Sequence, residues 1–257
     1  MKNKSLRLFE LTLSPETPIK LPQSVGSLFH GILMEQVPTE QAELLHTQER
    51  RGYSQGVYYD KDAKCLKWRI GTLTEELGNC FEDVLSSLPS TVHVKQKGIN
   101  VHIDGVKCLD YTSYAELGDR FLGSGKKYAS IQMQLATSAT FKHDGRYSIF
   151  PEVEDMVSNV LNRWNRFSDA EVIQAEDAAK EIADNMHIGG YDLALHPYAL
   201  EHTRIPAFRG TVTLRLHGNV ILSRLAAMLF YFANFSGIGI KTALGMGRVI
   251  TRIEERL

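Results

Sequence analysis

The sequence predicts an α+β protein in which one order of strands and helices occurs twice. Amphipathic helices alternate with short strands in the order β-α-β-β-α-β through the first half of the 257 residues, and a similar alternation follows in the second half. A chain of this length holds one large domain or two modest ones. The most economical architecture is two ferredoxin-like βαββαβ domains side by side, at residues 1–117 and 126–257.

The first half begins with an alternating strand, KSLRLFELTL, and continues with apolar residues at helical spacing in VGSLFHGILMEQV. Pro38 ends this helix, and Thr39 begins a second, short helix that ends near His46. SQGVYYD and CLKWRIGTL predict a hairpin, TEELGNCFEDVLSSL predicts a helix, and STVHVKQKGINVHIDGVKCL predicts further strand with turns at its glycines. Glycine and charge in ELGDRFLGSGKKY predict a linker.

The second half predicts strands at YASIQMQLATSATFK, RYSIF, YDLALH, IPAFRGTVTLRLHG and GRVITRI. PEVEDMVSNVLNRWNRFS carries one apolar stripe and predicts a helix, and NVILSRLAAMLFYFANFSG predicts another between the last two strands. The acidic, alanine-rich segment 169–187 predicts an exposed helix.

Net charge, cysteine content and apolar runs limit the classes of function that the sequence allows. The formal net charge is -1, so binding to a polyanion would require a local basic face. Three cysteines without CxxC spacing favour neither a disulfide framework nor a zinc site. The N-terminus does not resemble a signal peptide, and the longest apolar run, LAAMLFYFANF, is too short to span a bilayer. A cytoplasmic protein without membrane partners is expected.

The stretch FSGIGIKTALGMGRVI, residues 235–250, concentrates glycines beside Lys241 and Arg248. It is neither a dinucleotide fingerprint, since Thr242 stands in place of the third glycine, nor a P-loop, since Ile240 precedes the lysine. One reading is a loop whose backbone N–H groups and side chains contact phosphates. The other is a helix C-cap at Gly237 with a bulged last strand.

Several of these segments resemble the CRISPR-associated endoribonucleases that cut precursor repeat RNA, the Cas6 family of the RAMP superfamily. The matching segments are GSLFHGILMEQ, AELLHTQERRGYSQ, SATFKHDGRYSIFPEVEDMVSNVLNRWNRF and the glycine loop. The resemblance implies tandem ferredoxin-like domains and cleavage without metal or cofactor. In that reaction the RNA 2′-hydroxyl attacks its own phosphate, leaving a 2′,3′-cyclic phosphate and a 5′-hydroxyl. The implied partner is CRISPR repeat RNA; subunits of type III interference complexes and a second copy of this chain are further candidates.

The resemblance places catalytic candidates at His46, His30 and Arg51. His46, at a helix C-terminus that favours protonated imidazole, suits a general acid. His30 lies roughly 130° from the centre of the apolar stripe of its helix, so we expect it to be available to solvent or a ligand, either as base for the 2′-hydroxyl or to orient the RNA. Arg51 stands where many family members carry a lysine. The first-helix tyrosine common in the family is absent, with Leu33 or Met34 near its position.

The predicted RNA contacts are Arg50, Gly237, Gly239, Lys241, Thr242, Gly245, Gly247 and Arg248, and no metal-binding residues are predicted. Further cations that could line a basic face are Lys126, Lys127, Lys142, Arg204 and Arg209. Two alternatives remain open from the sequence. One is a non-catalytic RNA-binding RAMP subunit of a CRISPR RNA complex, and the other is a ferredoxin-like ligand-binding protein unrelated to RNA.

Overall fold

A computed structural model describes residues 4–17, 21–22, 24–47, 51–170, 172–173, 177–200 and 203–256, with the backbone alone at positions 44, 46 and 47. Its two main sheets, of five and four strands, are antiparallel throughout their described pairings. The predicted α+β class with tandem ferredoxin-like halves is confirmed. No described helix is both long and apolar enough to cross a bilayer.

The first half forms one sheet in the order β2-β3-β1-β5-β4. With β5 as the fourth strand of the motif, this is the 4-1-3-2 order of a ferredoxin-like sheet, and β4 adds an edge hairpin. Its elements are β1 (Leu6–Pro15), α1 (Val25–Gln36), α2 (Thr39–Thr47), β2 (Tyr53–Asp60), β3 (Cys65–Thr72), α3 (Glu75–Ser86), β4 (Thr91–Val94) and β5 (Ile99–Thr112).

The second half forms a sheet in the order β13-β6-β12-β9, again 4-1-3-2. The short strands form two additional hairpins, β7 with β8 and β10 with β11. Its elements are α4 (Tyr114–Phe121), β6 (Tyr128–Ala139), β7 (Lys142–His143), β8 (Arg146–Tyr147), α5 (Val153–Phe167), α6 (Ala178–Asp184), β9 (Met186–Leu195), β10 (Tyr198–Leu200), β11 (Thr203–Ile205), β12 (Phe208–Leu216), α7 (Val220–Ser236) and β13 (Val249–Glu255).

The predicted linker is wrong in its first part, where α4 occupies residues 116–121. Ser113 and Glu116 form a capping box that starts this helix, and the capping bonds outweigh the glycine content of the segment. Tyr114, Leu117 and Phe121 are buried in the larger core, which holds mostly second-half residues. The division into 1–117 and 126–257 stays a prediction.

Two smaller predictions also need correction. The segment 169–187 does not form one exposed helix: α6 covers only Ala178–Asp184, and Ala178, Ile182 and Ala183 are buried. Gly105 marks no hairpin turn, since it lies inside β5 beside a register shift against β1, whereas Gly98 does end a turn in the left-handed region. A glycine beside polar residues can therefore mark a β-bulge within a strand as well as a turn between strands.

The halves meet where the C-terminal end of α7 crosses β2 and β3. Ser54 Oγ donates to the carbonyl of Phe235 at 2.6 Å. Across the ladder from Ser54 lies Gly71, and a Cβ added there would sit 2.1 Å from the same carbonyl oxygen. This close approach fixes the position of the glycine loop that follows α7.

Candidate functional site

Helix α1 carries His30 into the interior of the first half. Val25, Phe29 and Leu33 of this helix are buried in the core of that half, and Phe29 packs edge-on against Trp68 with ring centroids 4.9 Å apart. The expectation that His30 reaches solvent is wrong, because only 9% of it is exposed. The apolar stripe accounts for one packing surface of α1, whereas the helix also packs against β2 and the glycine loop.

Among the described residues, Arg51 and Tyr53 contact the two ring nitrogens of His30. Arg51 Nη1 lies 3.1 Å from His30 Nε2, and Tyr53 Oη lies 2.7 Å from His30 Nδ1. A guanidinium can only donate, so Nε2 accepts the bond from Arg51. The Nδ1–H then donates to Tyr53, whose own hydroxyl donates to Met34 Sδ at 4.0 Å. In this arrangement the Nδ1 proton of His30 points to Tyr53.

Tyr53 was not among the sequence candidates. It comes from β2, is fully buried, and burial raises its pKa above the usual value for a phenol although Arg51 opposes the shift. It is therefore a neutral hydroxyl at physiological pH. The segment GYSQ, directly after Arg51, could have indicated that Tyr53 is buried. Side chains alternate along β2, so Tyr53 and Gln55 lie on the same face as the buried Val57.

Arg51 links α2 to α1. Its Nε donates to the carbonyl oxygen of Leu45 at 3.0 Å, next to His46 in the last turn of α2, while its Nη1 contacts His30. The remaining nitrogen, Nη2, makes no hydrogen bond to any described residue. The predicted short helix ending near His46 is confirmed by α2, whereas the side chain of His46 and the whole of Arg50 lie outside the described residues.

The glycine loop packs directly on α1. A Cβ on Gly26 would lie 2.9 Å from the Cα of Gly245. The amide of Gln55 donates to the carbonyls of Gly26 at 2.8 Å and Ala243 at 3.0 Å, and its Oε1 accepts from Trp68 Nε1 at 3.0 Å. The buried Gln55, a second residue that the sequence candidates missed, thus ties the loop to the helix that bears His30.

The C-cap at Gly237 is confirmed, and the loop glycines adopt φ values of 66° at Gly237, 78° at Gly239, 99° at Gly245 and 65° at Gly247. Three of their N–H groups donate within the protein: Gly237 to Ala233, Gly239 to Asn159 and Gly247 to Ser138. The N–H groups of Gly237, Gly239 and Gly247 therefore already donate hydrogen bonds within the protein. The geometry therefore favours a structural role for these glycines, and their contact with RNA stays a prediction.

The polar side chains of the loop divide into buried and exposed. Thr242 is 3% exposed and accepts from Arg163 at 2.6 Å, and Arg248 is 0% exposed and donates to Ser54 at 2.9 Å. Burial lowers the pKa of Arg248 to about 9, with nearby Arg69 adding to the effect. Lys241 is exposed and has a left-handed backbone, φ 53°. Of these three, Lys241 is the side chain open to a ligand.

Lys241 and Arg248 can therefore be told apart by experiment. We expect Lys241→Gln to weaken RNA binding and to reduce the slope of log K against log salt by about 0.7, the contribution of one phosphate contact on a single strand. Arg248→Met should leave that slope unchanged and keep the protein at least as stable, because it removes a buried cation that has no acidic partner among the described residues. Filter binding across a salt series, with thermal melts, distinguishes them. Equal slopes for Lys241→Gln and the parent would contradict the assignment.

Within the described residues, no group of three or more His, Cys, Asp or Glu side chains is placed to hold a metal ion. The arrangement instead offers an imidazole, a guanidinium with a donor to spare, and the end of a helix bearing a second histidine. Such a set can transfer protons and stabilise an anionic phosphate.

The chain combines two ferredoxin-like halves with a glycine loop between α7 and the last strand. Residues 133–249 match the family described as CRISPR-associated endoribonuclease Cas6. A Cas6 endoribonuclease of Streptococcus thermophilus is 28% identical over 239 residues, which cover 91% of this chain and 93% of the relative. The chain is thus similar to Cas6 endoribonucleases, the resemblance that its sequence suggested.

Solved structures agree with this fold. A Thermus thermophilus Cas6 superimposes with a TM-score of 0.75 and 21% identity, covering 98% of this chain and 100% of its own. A second Cas6, solved as a product complex, superimposes with a TM-score of 0.77 and 20% identity, covering 96% of this chain and 99% of its own. At 20–21% sequence identity, these superpositions show that the two structures share the fold of this chain.

Proposed function

We propose that this protein is an endoribonuclease that cuts CRISPR precursor RNA within its repeats, using the RNA 2′-hydroxyl as nucleophile and no metal ion. The observation that carries the proposal is the position of Arg51, fixed between the Leu45 carbonyl and His30. A cation is thereby held beside the turn of α2 that bears His46. The similarity to Cas6 endoribonucleases and the fold support the same reaction class.

In this proposal Arg51 binds the scissile phosphate through the nitrogens that it turns away from Leu45. A planar guanidinium donates to two phosphate oxygens at once, and a positioned cation stabilises the charge that builds up in the transition state. When the phosphate takes the Nη1 donor, His30 Nε2 can accept the 2′ proton. Tyr53 keeps the proton of His30 on Nδ1, so the basic nitrogen is the one that Arg51 releases.

His46 completes the set as general acid for the leaving 5′ oxygen. The C-terminal end of α2 places the negative end of a helix dipole at this residue, which favours the imidazolium. One acid or base in position contributes about 10²–10⁴-fold to the rate. Attack by the 2′ oxygen and departure of the 5′ oxygen leave a 2′,3′-cyclic phosphate and a 5′-hydroxyl.

The decisive experiment incubates the purified chain with end-labelled repeat RNA in excess chelator. We expect one cut per repeat, cyclic phosphate on the upstream product, and no cut when the nucleotide before the scissile phosphate carries 2′-deoxyribose. Dependence on added metal, or scission of the deoxy substrate, would refute the mechanism. Tight binding without cleavage would instead identify the alternative, a non-catalytic RNA-binding RAMP subunit.

Tyr53→Phe tests the role of the phenol. Losing one neutral hydrogen bond to His30 should lower the single-turnover cleavage rate roughly fivefold, about 1 kcal/mol, with RNA affinity unchanged. The matched control is Tyr58→Phe, five residues along the same strand, because the buried Tyr58 hydroxyl has no hydrogen-bond partner among the described residues. A Tyr53→Phe rate equal to that of the control would exclude a positioning role.

A further inference from the structure

A pocket of about 640 Å³ opens beside α1, away from the His30–Arg51 contact. It lies between the β2–β3 hairpin, the C-terminal end of β1 and Arg209 of β12, so both halves of the chain contribute to it. Its described lining is Leu13, Ser14, Pro15, Thr17, Leu21, Pro22, Val25, Val57, Tyr58, Tyr59, Lys64, Cys65, Leu66 and Arg209. Walls that are mostly apolar with a few polar groups are typical of small-ligand sites.

Two cations stand at this pocket without acidic partners. Neither Arg209 nor Lys64 makes a hydrogen bond or ion pair with a described residue, and no aspartate or glutamate is among the described lining residues. Asp60, at the start of the hairpin turn, accepts from the backbone N–H groups of Asp62 and Ala63 at 3.0 Å. Partial burial lowers the pKa of Arg209, as expected for a guanidinium that has lost water and gained no counter-charge.

The pocket also offers an aromatic face. Tyr59, at the end of β2, is 52% exposed, an unusual exposure for a large ring beside a pocket. Single-stranded nucleic acid is bound by aromatic rings that stack on bases and by cations that contact the backbone. The combination of one open ring, apolar walls and two unpaired cations matches a nucleotide better than it matches an uncharged or a purely apolar ligand.

The position of the pocket relates it to the cleavage site. Val25, the first residue of α1, lines the pocket, and His30 follows five residues later. At 1.5 Å rise and 100° per residue the two are about 7.5 Å apart along the helix axis and about 140° apart around it. A strand of RNA whose phosphate lies at Arg51 would reach the pocket by passing around the first turns of α1.

We propose that this pocket, the Tyr59–Arg209 pocket, captures one unpaired nucleotide of the bound RNA strand. The base stacks on Tyr59 between the apolar walls, and its phosphate contacts Arg209 and Lys64. This proposal rests on the proposed function, because it assigns part of the same RNA to a second place on the protein. The pocket then selects a repeat RNA that is unpaired at one fixed distance from the cut.

The test is an abasic scan. Repeat RNAs, each lacking one base and carrying 2′-deoxyribose at the cut, are titrated against the full-length protein by fluorescence anisotropy. For the parent protein we expect about tenfold weaker binding when one particular unpaired base is removed, the size of one stacked base. In Tyr59→Ala and Arg209→Gln the affinity for intact RNA should fall by a similar factor, and the position-specific penalty should disappear.

Two further variants keep the result interpretable. Arg215→Gln changes the same residue type on the same strand outside the pocket and should behave as the parent. Lys64→Gln changes an exposed side chain, so it reports on the pocket even if Arg209→Gln fails to fold. An even penalty across all positions, or an Arg209→Gln and a Lys64→Gln indistinguishable from Arg215→Gln, would overturn the proposal.

The same titrations separate this proposal from the proposed function. If the parent binds and cuts repeat RNA but shows no special position, the pocket assignment alone fails. If the parent neither binds nor cuts, the proposed function fails and the pocket assignment with it. Binding of a free nucleoside monophosphate that depends on Arg209, with no special position in the RNA, would show that the site serves a free nucleotide and would overturn the strand assignment.

Discussion

Replacing His46 with alanine is expected to abolish cleavage of repeat RNA while leaving RNA binding nearly intact. The proposed acid protonates the leaving 5′ oxygen, and its loss removes about 10²–10⁴-fold of rate. Binding should survive, because Arg51 is anchored by the Leu45 carbonyl and by His30, and neither contact involves the His46 side chain. Single-turnover cleavage and equilibrium binding, measured on one preparation, check both halves of the expectation.

The control for this variant is His93→Ala. His93 lies on β4, is exposed, and bonds only Asn100 among the described residues, at 2.8 Å. It should cut at the parental rate. A His46→Ala protein that cuts as fast as His93→Ala would remove His46 from the reaction. Rescue of His46→Ala by a 5′ leaving group that needs no protonation, such as a bridging thiolate, would identify the missing step as proton donation.

The sequence predicted the fold well because local periodicity and turn chemistry carried the information. α3 and α5 show one apolar face each, and both became helices packed against a sheet. The prediction of a linker after Ser113 was wrong for an equally local reason. Its glycines suggested a break, whereas the Ser113–Glu116 capping box and three buried apolar side chains make α4. In this segment the capping box determines the local structure more strongly than the glycine content does.

The site was predictable only in part. Residue types and the family resemblance pointed to α1, α2 and the glycine loop, and the structure brings α1 and the loop into contact at Gly26 and Gly245. The environment of His30 could not be predicted from one helix wheel, since its burial depends on Tyr53 and Arg51 from a different segment. Likewise, nothing in the sequence separates the exposed Lys241 from the buried Arg248, because the difference arises from packing between the two halves.

The junction of the halves gives the second large prediction. Gly71→Ala should destabilise the protein by about 3 kcal/mol or more, because the new methyl group would sit 2.1 Å from the Phe235 carbonyl oxygen. The methyl group would be attached to the backbone of β3, and the atoms that it meets belong to the backbone of α7, so no side-chain rotation can relieve the clash. Ser54 Oγ also holds the Phe235 carbonyl in place at 2.6 Å. Denaturant unfolding measures the loss directly.

Gly118→Ala is the matched control, since a Cβ at Gly118 meets nothing within 4 Å and the residue lies inside α4. There we expect a gain of about 0.4–1 kcal/mol, from the smaller backbone entropy of the unfolded chain. The two variants also separate stability from function. Because α7 leads into the glycine loop that rests on α1, a Gly71→Ala protein that still folds should cut more slowly, whereas Gly118→Ala should cut at the parental rate. Parental stability in Gly71→Ala would mean that β3 and α7 can separate without cost, and the loop would then not be fixed by this contact.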